Sequence, residues 1–182
     1  LRREFDLPRE GGPVIGTVAR LVPSKGVAQL IAAVPSLLAA RPGLRVLIAG
    51  EGEDRPRLEH LAHQLGVAQA VRFAGNRLES REALPLMTVF VFLPATQEGF
   101  GLSLLEAMAA ARPIVAVRRG GGATWVLEKT NVGRLVEPDQ PQELANAIAA
   151  FLDDPALAAR AAAEAQAAAR QRYDAARMLD SV

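Results

Sequence analysis

Short apolar runs alternate with helix-like periodicity along the whole chain. Several of the runs contain Val, Ile, Leu and Phe without polar alternation, which is typical of strands covered by helices on both faces. The predicted strands are 13–19, 44–49, 71–74, 89–93, 114–117 and 133–136. Because each run is followed by a helical pattern, the sequence predicts an open α/β sheet with parallel strands.

Helical patterns fill the segments between these strands, and glycine or proline marks many of the joins. The predicted helices are 25–41, 54–66, 79–87, 101–111, 123–129 and 140–153. Pro35 lies inside the first of them and is expected to kink or shorten it. An alanine-rich run from Pro155 to about Arg172 predicts a last helix whose weak apolar face must pack on another part of the protein.

Composition narrows the class of protein. A chain of 182 residues fits one domain and buries roughly 70% of its unfolded surface. The net charge of +1 argues against nucleic-acid binding, which needs a basic face. No apolar stretch reaches the roughly 18 residues of a membrane-spanning helix, and zero cysteines exclude disulfides and thiolate metal sites. The opening residues resemble neither a signal peptide nor a natural start, so we expect a piece of a longer polypeptide.

Residues 94–106 carry the strongest chemical signal. They read PATQEGFGLSLLE, in which Glu98 and Glu106 flank a Gly-Phe-Gly turn between an apolar run and a helix. A strand that ends in such a turn presents backbone N–H groups and the positive end of a helix dipole, which suits phosphate. Carboxylates beside that point would repel phosphate but accept hydrogen bonds from sugar hydroxyls. Together these features predict a nucleotide-sugar site. Glu106 should lie about one turn into the helix, whose other residues are mostly apolar and predict a largely buried helix.

Three further segments follow predicted strands and should lie at the same edge of the sheet. Arg20 and Lys25 could balance the charge of a diphosphate, although two cations in a loop are also common on a solvated surface. Gly50 and Gly52 would let the backbone approach a ligand, or serve only as a turn. The glycine run at 118–124 is open to the same two interpretations.

Other conspicuous residues favour ordinary structural roles. His60 and His63 lie three positions apart on an amphipathic helix, where we expect surface exposure and no metal site. Trp125 and the pair Phe90 and Phe92 are interpreted as packing residues. The sequence offers no Ser-His-Asp or cysteine nucleophile.

Read together, these motifs resemble the C-terminal half of retaining glycosyltransferases of family four. The E-x7-E signature is met by Glu98 and Glu106 and is followed by Ala-Met-Ala. The other matching motifs are Ala19-Arg20-Leu21 with Lys25-Gly26, Ala49-Gly50-Glu51-Gly52, Val71-Arg72-Phe73-Ala74-Gly75 and Gly133-Arg134-Leu135-Val136-Glu137-Pro138. The resemblance covers residues 13–153 in order. It implies a Rossmann-like open parallel sheet of about six strands with helices on both faces, one half of a GT-B fold.

The resemblance also implies a domain division. Residues 1–12 would be a remnant of an interdomain linker, 13–154 the Rossmann-like core, and 155–182 a C-terminal helical tail. The partner would be an N-terminal, acceptor-binding domain of the same polypeptide. We expect a cytoplasmic protein, with any contact to a membrane surface made through that other domain.

Roles for individual residues follow from the same resemblance. Arg20 and Lys25 would bind the donor diphosphate and Glu106 the ribose hydroxyls, while Glu98 would contact the transferred sugar. Further donor contacts are implied for Phe100, Gly101, Leu102, Gly50, Gly52, Gly75 and Asn76. No metal or other cofactor is expected. The loop that usually reads GGxxE has Trp125 in place of an acid.

The implied activity is hexosyl transfer from a nucleoside-diphosphate sugar with retention, and this half alone is expected to be inactive. Two alternatives stay open. One is a nucleotide-sugar-binding module without turnover, and the other is a GT-B-fold epimerase acting on a UDP sugar. The setting of Glu98 and Glu106 around a Gly-Phe-Gly turn favours transfer over epimerisation. The sequence does not name the base, the sugar, the acceptor or the oligomeric state.

Overall fold

A parallel sheet of six strands forms the centre of the protein in the computed structural model, which describes residues 1–8, 12–76, 78–97, 99, 101–130 and 132–172. The strands are β1 (Val14–Val18), β2 (Arg45–Ala49), β3 (Val71–Gly75), β4 (Val89–Phe92), β5 (Ile114–Val117) and β6 (Arg134–Val136). Their order is β3-β2-β1-β4-β5-β6, and every neighbouring pair is parallel. This is the Rossmann order, so the predicted fold class is confirmed.

Helices follow the strands close to the predicted positions. They are α1 (Val27–Ala40), α2 (Arg55–Gln64), α3 (Ser80–Ala83), α4 (Leu102–Ala109), α5 (Gly121–Thr130), α6 (Pro141–Asp153) and α7 (Pro155–Arg172). The single helix predicted over 79–87 is instead a short α3 followed by a 3₁₀ turn at Leu84–Leu86. Pro85 has no N–H to continue the α-helical ladder, which accounts for the change.

Pro35 does not shorten α1, contrary to one of the two predicted outcomes. The helix continues past it for five residues to Ala40. Proline removes one backbone hydrogen bond from the helix interior, but burial opposes that loss. Leu30, Ile31, Val34 and Leu37 are each at most 1% exposed, so packing against the sheet retains the helix.

The core has two parts, one on each face of the sheet. Along β2, Val46 and Ile48 belong to one cluster, while Leu47 and Ala49 belong to the other. This alternation follows from the two-residue period of a strand. Since apolar helices cover both faces, each strand is apolar throughout, as the sequence pattern predicted.

The alanine-rich helix α7 packs against α4 and α6. Ala161, Ala165 and Ala169 are at most 9% exposed, and the side-chain amide of Gln166 donates a 2.9 Å hydrogen bond to the carbonyl of Ala109 at the end of α4. Small side chains let α7 approach the neighbouring helices closely. The weak apolar face predicted for this run is therefore sufficient to pack it against them.

Residues 1–8, within the segment predicted to be a linker remnant, also pack against the sheet. Phe5 and Leu7 are each 4% exposed and join the cluster that contains α4. The Arg2 guanidinium donates to the carbonyls of Pro8 and Leu86 at 3.1 Å. These contacts fix how the chain approaches β1.

Candidate functional site

A crevice opens between β1 and β4, where the strand order reverses direction. β1 pairs with β2 along its whole length, but it pairs with β4 only through Ile15 and Gly16. Beyond this point the two strands lead into separate loops. In open α/β sheets such a switch point is where ligands bind.

The crevice is a cavity of about 450 Å³, here called the β1–β4 cavity. It is lined by the ends of the two strands, by the loop after β1 and by the first turns of α4. Its residues are Thr17, Val18, Ala19, Arg20, Lys25, Phe92, Leu93, Pro94, Gly101, Leu102, Ser103 and Glu106. Two predicted cations and the predicted helix start therefore lie together in one cavity.

A second cavity of about 530 Å³, the β2–β3 cavity, lies beside the first. It is lined by the ends of β1 and β2, the loop after β3, and α3. Its residues are Val18, Ala19, Arg20, Ala49, Gly50, Glu51, Asn76, Leu78, Glu79, Ser80, Arg81 and Glu106. Arg20 and Glu106 line both cavities, so the two form one continuous site.

The loop after β1 is tied to the loop after β4. Lys25 ends a 3₁₀ turn and Gly26 follows it with φ 61°. The backbone N–H of Ala95 donates to the carbonyl of Ser24 at 2.9 Å, and a side-chain carbon on Gly26 would lie only 2.2 Å from the carbonyl oxygen of Leu93. These contacts place Lys25 at the β1–β4 cavity.

Helix α4 begins at the same cavity because Gly101 makes a tight turn before it. Gly101 has φ 66°, and a side-chain carbon there would lie 2.8 Å from Cζ of Phe92. No side chain caps the helix among the described residues, so the first-turn N–H groups of Leu102 and Ser103 lie at the cavity edge without intrahelical partners.

Glu106 lies one turn into α4, as predicted, but its surroundings differ from the prediction. The apolar neighbours in sequence predicted a largely buried helix, whereas Glu106 is exposed and Leu102 is 75% exposed. Leu104, Ala107 and Met108 alone form the buried face. The opposite face of α4 carries Glu106 to the junction of the two cavities.

Glycines shape the other side of the site. Gly50 has φ 132°, and a side-chain carbon there would lie 1.9 Å from the carbonyl oxygen of Ala19. Its N–H donates to the carbonyl of Gly75 at 2.9 Å, which joins the ends of β2 and β3. Gly50 and Asn76 line the β2–β3 cavity, but Gly52 and Gly75 do not. Gly52 instead packs against the backbone of Leu21.

Two predicted site residues, Glu98 and Phe100, lie outside the described residues. The glycine run of 118–124 lines neither cavity. Arg118 pairs with Glu128 and Glu137, and Arg119 pairs with Asp139. The segment therefore joins β5, α5 and the loop after β6.

The histidines of α2 are exposed, as predicted. Among the described residues, no group of three or more His, Asp and Glu side chains is placed to hold a metal ion. Within the same residues no helix is both long and apolar enough to cross a membrane.

The sequence analysis did not identify the carboxylate of Glu51 as a site residue. Glu51 lines the β2–β3 cavity and pairs with Arg55, whose Nε also donates to Glu59 at 2.8 Å. The Arg55 guanidinium lies 5.6 Å from the ring centre of Phe73. The hydrogen bond with Glu59 is the main influence that raises the pKa of Arg55, and the bond with Glu51 adds to it. The i,i+4 spacing of these three side chains was the available signal.

Comparison with known proteins places the chain in a family. The glycosyl transferases group 1 family matches residues 2–168. The 2-deoxystreptamine glucosyltransferase of Streptomyces kanamyceticus is 35% identical over 158 residues, which cover 86% of this chain and 40% of that protein. A glycogen synthase of Mycobacterium tuberculosis is 40% identical over 168 residues, which cover 91% of this chain and 39% of that protein. The chain thus spans about 40% of the length of these relatives.

Solved structures agree with this match. Anabaena Alr3699/HepE in complex with UDP-glucose superposes with a TM-score of 0.86 at 30% identity, over 100% of this chain and 51% of that one. The C-terminal domain of the group 1 protein LpcC from Francisella tularensis superposes with a TM-score of 0.80 at 25% identity. The match covers 95% of this chain and 91% of that one. The chain belongs to the glycosyl transferases group 1 family and has the Rossmann-like fold of the C-terminal domain of a GT-B glycosyltransferase.

Proposed function

We propose that this chain is the donor domain of a retaining hexosyltransferase and binds a nucleoside-diphosphate sugar. The observation that carries the proposal is the division of charge across the continuous site. The β1–β4 cavity is lined by more cations than carboxylates (Arg20 and Lys25 with Glu106) and by the start of α4, whereas carboxylates outnumber cations in the β2–β3 cavity (Glu51, Glu79 and Glu106 with Arg20 and Arg81). A nucleotide sugar has the matching division, with anionic phosphates on one side and hydroxyl and N–H donors on the other.

The diphosphate fits the β1–β4 cavity. One guanidinium fork and one ammonium group balance about two negative charges, and the amides of Leu102 and Ser103 add donors at a helix N-terminus. Arg20 lines both cavities, so it would bind phosphate where the nucleoside joins. Gly101 lines the same cavity, and a phosphate contact is also proposed for Phe100.

The ribose fits the junction at Glu106. An ionised carboxylate only accepts hydrogen bonds, which suits the two ribose hydroxyls and disfavours phosphate. With the ribose there, the base extends toward Asn76 and Gly50 in the β2–β3 cavity. Glu98 would contact hydroxyls of the transferred sugar.

Catalysis would then be mainly electrostatic. Positive charge held in place by Arg20, Lys25 and the first turn of α4 stabilises the diphosphate as it leaves, and we propose that no metal ion is needed for this. The acceptor would attack from the face on which the leaving group departs, so the anomeric configuration is retained. An N-terminal domain would supply the acceptor site, in a cytoplasmic enzyme.

The comparisons support this proposal. A glucosyltransferase is among the relatives, and a structural neighbour at 30% identity holds UDP-glucose. Because this chain spans about 40% of the relatives it matches, we expect it to bind donor without transferring sugar. Its affinity should be weak, since charge-assisted hydrogen bonds of about 1.5–3 kcal/mol each are opposed by association costs of at least about 4 kcal/mol.

The test is a titration of UDP, GDP and ADP into the chain, followed by NMR, with Glu106→Ala as the site variant. Glu164→Ala is a matched control, because Glu164 is an exposed glutamate on α7 away from both cavities. We expect saturable binding of at least one nucleotide in the micromolar to millimolar range. Glu106→Ala should weaken it by about tenfold or more, and Glu164→Ala should not. Equal binding by both variants, or no binding at all, would contradict the proposal.

A further inference from the structure

The β2–β3 cavity contains a fixed carboxylate at the end where the base would lie. This inference rests on the proposed function, because it needs the ribose at Glu106. From that junction the cavity continues past Gly50 to Glu51 and Asn76. Glu51 follows the carboxyl end of β2, and Asn76 follows the carboxyl end of β3.

Glu51 is held in place by Arg55, which is itself held by two further contacts. Its Oε1 accepts a hydrogen bond from Nη1 of Arg55, and Arg55 is fixed in turn by Glu59 and by the ring of Phe73. The carboxylate is therefore oriented before a ligand arrives, which reduces the entropy lost on binding.

The same carboxylate lies directly over the carboxyl end of β3. Gly75 has φ 63°, and a side-chain carbon there would lie 2.7 Å from Oε1 of Glu51. This is closer than carbon and oxygen normally approach, so the absence of a side chain makes room for the carboxylate. A base that reaches the backbone near Asn76 would therefore meet Glu51.

A carboxylate distinguishes bases by the donors that they present. It has about four lone-pair sites and no proton to give, so Glu51 can still accept hydrogen bonds while it is paired with Arg55. Guanine presents adjacent N1–H and N2–H₂ donors, a pair that matches two carboxylate oxygens. Uracil presents one N–H between two carbonyl acceptors, and adenine presents one amino group beside an acceptor nitrogen.

We infer that Glu51 is a specificity-determining residue and that the donor of this protein is a guanosine-diphosphate sugar. The guanine edge donates to the Glu51 carboxylate, and Arg55 positions that carboxylate. The same carboxylate repels the carbonyl oxygens of uracil and the acceptor nitrogen of adenine, because both are hydrogen-bond acceptors.

The experiment compares GDP, inosine diphosphate, UDP and ADP by calorimetric titration of the chain. We expect GDP to bind about tenfold more tightly than UDP or ADP, as one charge-assisted hydrogen bond would give. Inosine diphosphate keeps N1–H but lacks the 2-amino group, so its affinity should lie between those of GDP and UDP. This comparison needs no variant and does not depend on how well a variant folds.

Glu51→Gln tests the residue itself. A glutamine presents an N–H₂ donor as well as an acceptor, so the preference for GDP over UDP should fall from about tenfold to near unity. Glu53→Gln is the matched control, since Glu53 is exposed in the same loop and lines neither cavity. Its preference for GDP should equal that of the unmodified chain.

The outcomes separate this inference from the proposed function. Equal affinity for GDP and UDP, or a preference for GDP that persists in Glu51→Gln, would overturn the role of Glu51 and leave the donor site intact. Failure of every diphosphate to bind would overturn the donor site and this inference with it.

Discussion

The backbone N–H of Ala95 donates a 2.9 Å hydrogen bond to the carbonyl of Ser24. This bond joins the loop that carries Lys25 to the loop that carries the Gly-Phe-Gly turn, although the two loops follow different strands. The geometry of the β1–β4 cavity therefore depends on contacts between loops as well as on the sheet, and Gly26 lies at the point of contact.

Gly26→Ala should destabilise the protein and displace Lys25. Alanine at φ 61° costs about 1–2 kcal/mol, and its side chain would overlap the carbonyl oxygen of Leu93 at 2.2 Å. Urea unfolding measures the total cost, and titration with a nucleoside diphosphate measures the loss of binding.

Two other glycines serve as matched controls for that variant. Gly66 has φ 70° with no neighbouring atom within 4 Å, so Gly66→Ala should show the backbone cost alone. Gly43 has open space and no positive φ, so Gly43→Ala should leave the free energy of unfolding nearly unchanged or slightly raised. If Gly26→Ala lowers the free energy of unfolding by no more than Gly66→Ala does, the close approach of Gly26 to Leu93 adds nothing to the backbone cost and this prediction is wrong.

Arg20→Ala should weaken nucleotide binding without affecting the fold. Arg20 is exposed and lines both cavities, so we expect about a tenfold or greater loss of affinity. The free energy of unfolding should change by less than about 0.5 kcal/mol. Calorimetry at low and high salt measures binding, and the salt dependence should be smaller in the variant because one phosphate contact is lost.

Arg3→Ala is the control for charge alone. Arg3 is exposed and lines neither cavity, so its removal lowers the net charge equally but should leave affinity within about twofold of the original. Equal losses in the two variants would mean that Arg20 acts only through net charge.

Asp54→Asn should lower the free energy of unfolding at neutral pH, and the decrease should be smaller at acidic pH. Both oxygens of Asp54 accept hydrogen bonds from Arg57, at 2.6 and 2.8 Å, and the side chain is 6% exposed. The hydrogen bond from Arg57 is the main cause of the lowered pKa of Asp54. Because the pKa of Asp54 is lower in the folded state, the pair with Arg57 contributes its full stabilisation above about pH 4, near the pKa of an aspartate in the unfolded chain. That stabilisation is lost as the pH falls through the pKa that Asp54 has in the folded protein.

Urea unfolding from pH 7 down to pH 2.5 measures this effect. We expect the variant to be less stable by about 1–2 kcal/mol at pH 7, with the difference shrinking below about pH 4. Glu53→Gln, at the neighbouring exposed position, should show a smaller difference throughout. A difference for Asp54→Asn that stays constant down to pH 2.5 would rule out the ionised pair as its source.

Much of the architecture was predictable because secondary structure depends on local patterns. Apolar runs bounded by glycine and proline located all six strands to within one residue at each end. The split of α3 near Pro85 and the continuation of α1 through Pro35 were not predicted. At Pro35, burial of the surrounding side chains outweighs one lost hydrogen bond, and the sequence does not show the extent of that burial.

The candidate site was predictable in part. Arg20, Lys25, Gly101, Leu102 and Glu106 line one cavity, as expected for residues that follow strands of one parallel sheet. The exposure of Glu106 was not predicted, because its mostly apolar helix suggested that the helix is largely buried.

By itself, the sequence determined the order and type of the elements, the motifs of the family, and the residues at the carboxyl ends of the strands. Only the tertiary structure decided that two cavities join at Arg20 and Glu106, and that Arg55 turns Glu51 toward the turn at Gly75. The physical reason is that periodicity acts over a few residues, whereas a cavity is formed by side chains that meet only when distant strands pair and their loops pack together.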